Sequence, residues 1–139
     1  MNGGSLECRG ANEYGQVGCA PTGRFYEHLP IDVFGFFSGA TLIAAGQGSE
    51  ATCAIASGGT VSCWGWNEYG CLGDGTDTKR AQPVAVVGLS SGVTSLGLGR
   101  YHTCAVTAAG GVQCWGANDA GQLGDGTNTE SMTPVYVKF

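Results

Sequence analysis

The sequence contains an internal repeat, and this repeat restricts the possible folds more than any other feature. Residues 99–139 match residues that lie 51 positions earlier in the chain. The shared residues are mainly cysteines, tryptophans, glycines and threonines. They include Cys53 and Cys104, Cys63 and Cys114, Trp64 and Trp115, Asn67 and Asn118, Asp74 and Asp125, and Pro83 and Pro134. Self-similarity over a period of this length predicts a solenoid, a propeller or an array of repeated units.

The N-terminal part of the chain contains a partial third copy. Residues 8–18 match residues 63–73, and residues 30–46 match residues 83–99. The offset changes from 55 to 53 residues, so the intervening loop is two residues longer than its counterpart. The chain therefore holds about two and a half repeats.

Short segments rich in β-branched and apolar residues recur at even spacing. They are residues 30–33, 41–46, 52–56, 60–65, 82–87, 93–99, 102–107, 112–116 and 133–137. Gly58-Gly59 and Gly110-Gly111 are typical of tight hairpins. A content of 26 Gly and only 12% charged residues also favours strands and turns. The pattern predicts an all-β fold of four-stranded antiparallel propeller blades.

The repeats divide the chain into four parts. Residues 1–4 are a tag-like or linker-like start, and residues 5–33 supply the last two strands of an incomplete blade. Residues 34–87 and 88–139 form two further repeats. We therefore expect a partial propeller of about 2.5 blades, which oligomerisation could complete.

Two strings carry a resemblance to a known family. TCAIASGGTVSCWGWNEYGCLGDGT and HTCAVTAAGGVQCWGANDAGQLGDGT share a WG-x-N-x-x-G-x-LG-x-G core that is followed by proline. They resemble the repeat of the regulator of chromosome condensation family, and their paired cysteines are similar to those of secreted bacterial propellers. The resemblance implies a circular propeller of seven repeats. Two and a half repeats cannot close such a ring, so we expect either a fragment of a larger propeller or a unit that assembles with other chains.

Four of the seven cysteines occupy equivalent positions on either side of the predicted hairpins. If a three-residue loop closes each hairpin, Cys53 faces Cys63 and Cys104 faces Cys114, with Cα atoms about 4.5 to 5.5 Å apart. We predict two disulfides, which indicate an oxidising compartment. The alternatives are reduced core thiols and a metal site, although nine intervening residues is not a usual zinc spacing.

The other three cysteines lack this regular arrangement. Cys8 matches Cys63, but its hairpin partner belongs to the missing part of its blade. Cys8 is expected to pair with Cys19 or with another chain. Cys71 replaces the glutamines of the other copies, so we expect a free thiol there, or an intermolecular bond.

Few residues indicate a ligand site. Asp74 with Asp77, and Asp125 with Asn128, place oxygen atoms beside glycine and are weak calcium candidates, although calcium prefers six or more oxygens. No other metal and no cofactor is expected. Repeat equivalence places alanines at the position of Trp66, so the fold does not require this tryptophan. Trp66, Glu68 and Tyr69 therefore form a candidate contact patch.

Charge and composition exclude several classes of function. The net charge is −5 and the six basic residues are scattered, which argues against nucleic acid as a partner. No apolar run is long enough for a membrane span. His28 and His102 belong to no recognisable catalytic motif, so no enzyme activity is expected. We predict an extracellular, non-enzymatic protein-binding module. The alternative is a self-assembling structural protein, a homo-oligomer whose blades stack head to tail into a closed ring or a filament.

Overall fold

The computed structural model describes residues 5–19, 24–36 and 39–139 of the chain. The tag-like start expected at residues 1–4 lies outside the described residues. The described residues form ten strands: β1 (Glu7–Ala11), β2 (Tyr26–Asp32), β3 (Ala40–Ala45), β4 (Ala51–Ala56), β5 (Val61–Gly65), β6 (Arg80–Ala85), β7 (Val93–Leu98), β8 (His102–Thr107), β9 (Val112–Gly116) and β10 (Ser131–Tyr136). A short 3-10 helix covers Glu68–Gly70.

The strands form three antiparallel sheets, which we call blades. The first blade contains β1 and β2, the second contains β3, β4, β5 and β6, and the third contains β7, β8, β9 and β10. Neighbours in each sheet are neighbours in sequence, so every connection is a simple reversal of chain direction. This arrangement confirms the predicted all-β fold of four-stranded blades with one incomplete blade.

The last strand of each blade lies at the edge of its sheet, and this position explains its sequence. β2, β6 and β10 contain Pro30, Pro83 and Pro134, because an edge strand can lose one N–H donor without breaking a ladder. β2 begins at Tyr26, earlier than the predicted Pro30, and its residues are mostly exposed. The sequence pattern did not predict a strand at residues 26–29, because the side chains of an exposed edge strand need not alternate between apolar and polar.

Glycine at one hairpin position follows from the packing of the blades. The turn between β4 and β5 places Gly58 and Gly59 at φ angles of 91° and 84°, which side chains rarely adopt. A Cβ atom at Gly59 would also collide with the backbone of Gly92, which leads into the third blade. The hairpin therefore contacts the next blade directly through its backbone.

The structure contains both predicted hairpin disulfides. Cys53 lies opposite Cys63 in the register of β4 and β5, and Cys104 lies opposite Cys114 in that of β8 and β9. The Cα atoms of each pair are 4.1 Å apart and the sulfurs are bonded. The first pair is completely buried, and each of the two four-stranded blades carries one crosslink between its two central strands.

Two buried tryptophans connect neighbouring blades. Trp64 donates its indole N–H to the carbonyl oxygen of Gln16 at 2.9 Å, and Trp115 donates to that of Cys71 at 2.9 Å. Thr52 and Thr103 donate their hydroxyls to the same two carbonyls, at 2.9 and 3.0 Å. Both tryptophans therefore pack between blades and join each blade to the loop of the preceding one.

Candidate functional site

The loops at one end of the blades form a continuous surface, which we call the loop face. It comprises the turns at residues 46–50 and 99–101, together with the longer connections at residues 66–79 and 117–130. In an antiparallel blade, the first turn and the third connection lie at the same end of the sheet. The hairpin glycines lie at the opposite end. Side chains from different repeats therefore meet at the loop face.

A fully buried asparagine organises each long connection. Asn67 donates its amide to the carbonyl oxygens of Thr76 and Thr78, at 2.9 and 2.8 Å, and accepts from the Leu72 N–H at 2.9 Å. Asn118 makes the equivalent bonds in the third blade. Because a buried amide must be satisfied, these bonds fix the shape of the loop. The repeated asparagine thus has a structural role, which its repetition in the sequence alone did not reveal.

The acidic residues of these connections stabilise the loop itself. Asp74 accepts from the N–H and hydroxyl of Thr76, at 3.0 and 2.8 Å, and from Arg80 at 3.0 Å. Burial opposes ionisation of Asp74, but the bonds from Thr76, Arg80 and Asn67 outweigh it and lower its pKa.

The equivalent Asp125 is partly exposed, and the N–H and hydroxyl of Thr127 lower its pKa. Both carboxylates, which were weak calcium candidates together with Asp77 and Asn128, therefore accept hydrogen bonds from donors of the protein itself. The Asn128 amide donates to the Asp119 carbonyl at 3.1 Å, and Asp77 is exposed. Within the described ranges, no three acidic, cysteine or histidine side chains form a group able to hold a metal ion.

An aromatic cluster occupies the centre of the loop face. The ring centroids of Trp66 and Tyr101 are 5.2 Å apart, those of Tyr69 and Tyr101 are 5.6 Å apart, and those of Trp66 and Tyr69 are 6.0 Å apart. The rings are tilted or edge-on, which is the favourable arrangement for aromatic pairs. The guanidinium carbon of Arg100 lies 4.9 Å from the Tyr101 centroid. The predicted patch residues Trp66 and Tyr69 are therefore in contact, and a residue of the third blade joins them.

The backbone of Tyr69 adopts a conformation that is unusual for its side chain. Its φ angle is 66°, and among the described residues it is the only non-glycine residue in the left-handed region. A bulky residue there costs on the order of 1 kcal/mol or more. The equivalent Ala120 does not share this conformation. The Tyr69 ring is 39% exposed and lies beside Trp66.

Two cavities flank the aromatic cluster, and most of their charged groups are acidic. A cavity of about 310 Å³ is lined by Glu50, Trp66, Glu68, Arg100 and Tyr101, with Tyr14 at its side. The acidic surroundings, led by Glu13 and then Glu50, raise the pKa of the partly exposed Tyr14.

A second cavity of about 550 Å³ lies on the other side of Tyr69 and Tyr101 and includes Asp119, Asn128 and Glu130. Glu68, the third predicted patch residue, thus belongs to the first cavity. The site offers aromatic surface for stacking and carboxylates for cationic groups.

Sequence reasoning missed Tyr101, Arg100 and Glu50. The repeat pairs residues 99–102 with residues 48–51, but only the glycine is shared and the other three side chains differ. Trp66 was identified because the other repeats have a different residue at its position. Tyr101, Arg100 and Glu50 can be identified in the same way, because the fold does not require residues that vary between equivalent loops. Residues that repeat, such as the buried asparagines, maintain the scaffold.

The free cysteines correct one expectation. Cys8, Cys19 and Cys71 are not bonded, so the expected pairing of Cys8 with Cys19 is absent. Cys8 lines a groove beside β3, whereas Cys19 is buried after the loop that follows β1. Cys71 is free as predicted, and its thiol donates to the Trp66 carbonyl at 3.1 Å. Burial raises the pKa of Cys71 to about 12.

Two family models match the chain. Both are described as the regulator of chromosome condensation (RCC1) repeat, and they match residues 58–106 and 109–139, and residues 41–71 and 93–122. Human E3 ubiquitin-protein ligase HERC2 is 37% identical over 92 residues, which is 66% of this chain and 2% of the ligase. Among the described residues, no helix has the length and apolar character needed to cross a membrane.

Solved propellers share the fold. Human WBSCR16 superposes with a TM-score of 0.82 at 25% identity, covering 99% of this chain and 36% of WBSCR16. Prp20p from Saccharomyces cerevisiae, a structure described with its binding to Gsp1p and histones, gives a TM-score of 0.82 at 19% identity, covering 97% and 34%. The chain thus spans about a third of each solved propeller.

Proposed function

Since this chain belongs to the regulator of chromosome condensation (RCC1) repeat family, we propose that it is an extracellular, non-enzymatic protein-binding module whose loop face carries the recognition site. The observation that carries the proposal is the aromatic cluster of Trp66, Tyr69 and Tyr101. Its members come from two blades, Trp66 and Tyr101 do not recur in the other repeats, and Tyr69 is held in a strained backbone conformation. Aromatic residues are enriched at the energetic centres of protein interfaces.

A solved relative supports protein as the class of partner. Prp20p has the same propeller fold and is described as binding Gsp1p and histones. Loops on a rigid scaffold are a common location for recognition sites. The disulfide in each complete blade gives this chain such a scaffold.

The charges around the cluster favour a cationic segment of the partner. Glu50 and Glu68 line one flanking cavity, and Asp119 and Glu130 line the other, against one arginine, Arg100. Complementary charge raises the association rate and selects among partners. Lysine or arginine side chains of the partner can also stack on the aromatic rings.

Recognition fits the chemistry of this site better than catalysis does. As described, the two cavities are lined by aromatic rings, carboxylates, amides and a guanidinium, without a histidine or cysteine. Neither cavity thus pairs a nucleophile with a histidine base. The two disulfides support an oxidising, extracellular location.

The test is a selection of random linear peptides on the immobilised full chain, followed by affinity measurements. We expect selected peptides to be rich in lysine and arginine. They should bind a Trp66→Ala/Tyr101→Ala double variant at least about ten-fold more weakly. Tyr136→Ala is the matched control, because Tyr136 is 67% exposed on β10, away from the cluster. Peptides that bind the double variant as tightly as the wild type would overturn the proposal.

A second candidate function is self-assembly into a ring or filament. The carbonyls of Gln16 and Cys71 each receive a tryptophan and a threonine from the following blade. Gln122 occupies the equivalent position in the third blade, so this blade presents an equivalent carbonyl, although Arg9 stands at the tryptophan position in the first blade of another copy. Light scattering across a concentration series distinguishes the candidates, because an assembler grows with concentration and a discrete binder does not.

A further inference from the structure

The smaller of the two cavities in the loop face, about 310 Å³ in volume, lies where loops of three consecutive blades meet. Each of these blades contributes one aromatic ring, and three charged side chains complete the lining. The aromatic residues are Tyr14, Trp66 and Tyr101, and the charged residues are Glu50, Glu68 and Arg100. Aromatic surface combined with carboxylates is suited to a cationic ligand.

The two carboxylates of this cavity are available to a ligand. Glu50 and Glu68 are exposed, and within the described ranges neither side chain forms an ion pair or a hydrogen bond, in contrast to Asp74. Both act on the same aromatic wall, because the pKa of Tyr14 is raised by Glu13 most strongly, then by Glu50 and more weakly by Glu68. A cation in the cavity would therefore meet two carboxylates that have no partner in the free chain.

The chain itself places one guanidinium at this cavity. The guanidinium carbon of Arg100 lies 4.9 Å from the Tyr101 centroid. Its side chain is exposed, and in the part of the chain that the structure describes it pairs with neither Glu50 nor Glu68. An exposed contact between a guanidinium and a ring is worth only about a two- to five-fold factor in an equilibrium constant. Arg100 is therefore a weakly held occupant that a ligand can replace.

The combination of side chains in this cavity is not dictated by the fold. Glu50 and Tyr101 occupy the same position of the repeat, and so do Ser49 and Arg100. One repeat position thus supplies a carboxylate in the second blade and an aromatic ring in the third. The cavity is therefore particular to the junction of these blades.

Among cations, a guanidinium fits this lining best. It is planar, so it stacks on a ring while its N–H groups point outwards in the same plane and reach carboxylates. A lysine ammonium is a compact, strongly hydrated charge that does not match a pair of carboxylates in this way. A trimethylammonium group has no N–H donor and would leave both glutamates without a hydrogen bond.

We propose that this cavity is a guanidinium subsite, in which one arginine side chain of the protein partner displaces Arg100 from Tyr101 and pairs with Glu50 and Glu68. The inference rests on the proposed recognition by the loop face, and it adds the type of residue that is recognised and the group that gives way. One guanidinium replaces another, and the incoming group gains the ion pairs that Arg100 does not make.

The test is a titration of the isotope-labelled full chain with a capped pentapeptide that carries arginine between two pairs of glycines. Matched peptides carry lysine, or citrulline, which has nearly the shape of arginine without its charge. The nuclear magnetic resonance signal of the Trp66 indole N–H reports binding at the cavity. The indoles of Trp64 and Trp115 donate to backbone carbonyls between blades, so their unchanged signals show that each variant remains folded.

We expect the arginine peptide to shift the Trp66 signal saturably and to bind at least about three-fold more tightly than the lysine peptide. The citrulline peptide should give no saturable shift. Glu68→Gln should weaken binding of the arginine peptide at least about three-fold. Glu7→Gln, the same substitution at an exposed glutamate that begins β1, should leave the affinity unchanged.

Arg100→Gln separates displacement from simple coexistence. If Arg100 competes for the cavity, its removal should strengthen binding of the arginine peptide by about two- to five-fold. Weaker binding in Arg100→Gln, equal affinity for the arginine and lysine peptides, or the absence of a Trp66 shift would each overturn the guanidinium subsite. The proposed protein-binding function fails by a different result, in which peptides selected on the full chain bind the Trp66→Ala/Tyr101→Ala variant as tightly as the wild type.

Discussion

Substitution of Trp115 by phenylalanine tests the contact that joins the second and third blades. The indole N–H donates to the Cys71 carbonyl at 2.9 Å, and the side chain is fully buried. Phenylalanine removes this donor, which costs about 1 kcal/mol, although Thr103 still donates to the same carbonyl. The smaller ring also leaves a cavity, which costs about another 1 kcal/mol. We therefore expect Trp115→Phe to lower the free energy of unfolding by about 2 kcal/mol.

Urea denaturation monitored by circular dichroism measures this change. The matched control is Trp66→Phe, the same substitution at a partly buried tryptophan of the loop face, which should cost less than about 1 kcal/mol. The ratio of the two effects is more informative than either value. Equal losses, or a loss below about 0.5 kcal/mol for Trp115→Phe, would refute a central role for the bond between blades.

Three further predictions follow from the crosslinks and the titratable groups. Replacement of both Cys104 and Cys114 by serine should reduce the free energy of unfolding by about 2 to 3 kcal/mol, as measured by urea denaturation, because the unfolded chain regains the freedom of a short loop. Because the pKa of Asp74 is lowered in the folded state, its carboxylate stabilises the fold above its unfolded pKa, and this stabilisation is lost as the pH falls through its folded pKa. The urea midpoint of unfolding, measured between about pH 5 and pH 2, should therefore fall less steeply with decreasing pH in Asp74→Asn than in the wild type. The buried Cys71 thiol, with its pKa of about 12, should resist iodoacetamide in the native chain at about pH 8 and react after denaturation. The partly exposed Cys8 should react in both states. Mass spectrometry locates the label, and labelling of Cys71 in the native chain would contradict its burial.

The repeat made most of the fold predictable from the sequence. Equivalent residues must have equivalent environments, so the position of Gly58-Gly59 between two cysteines predicted both the hairpin and the disulfide of each blade. Trp64 and Trp115 repeat at the same offset, and they occupy equivalent positions between blades. The start of β2 was not predictable, because its edge position leaves its side chains exposed and removes the usual pattern.

The candidate site was predictable only in part. Trp66 was identified because it breaks the repeat, and Tyr69 because it lies near Trp66 in the same loop. Tyr101 approaches both from the next blade, and a contact between blades has no local sequence signal. For Cys8, the repeat predicted a bond that the structure does not contain. Its repeat position predicted a disulfide, but the strand that would carry the partner cysteine is not among the described strands, so the structure contains a free thiol.

The most direct test of the central claim is a hydrogen-exchange footprint of a peptide selected on the full chain. Backbone amides that lie at residues 48–50, 66–69, 99–101 and 128–130 should exchange more slowly in the complex, because these residues surround the aromatic cluster and its two cavities. Amides of the hairpins at residues 57–60 and 108–111 should be unchanged, since they lie at the opposite end of the blades. Protection confined to the hairpin end or to the edge strands would show that the loop face is not the recognition surface.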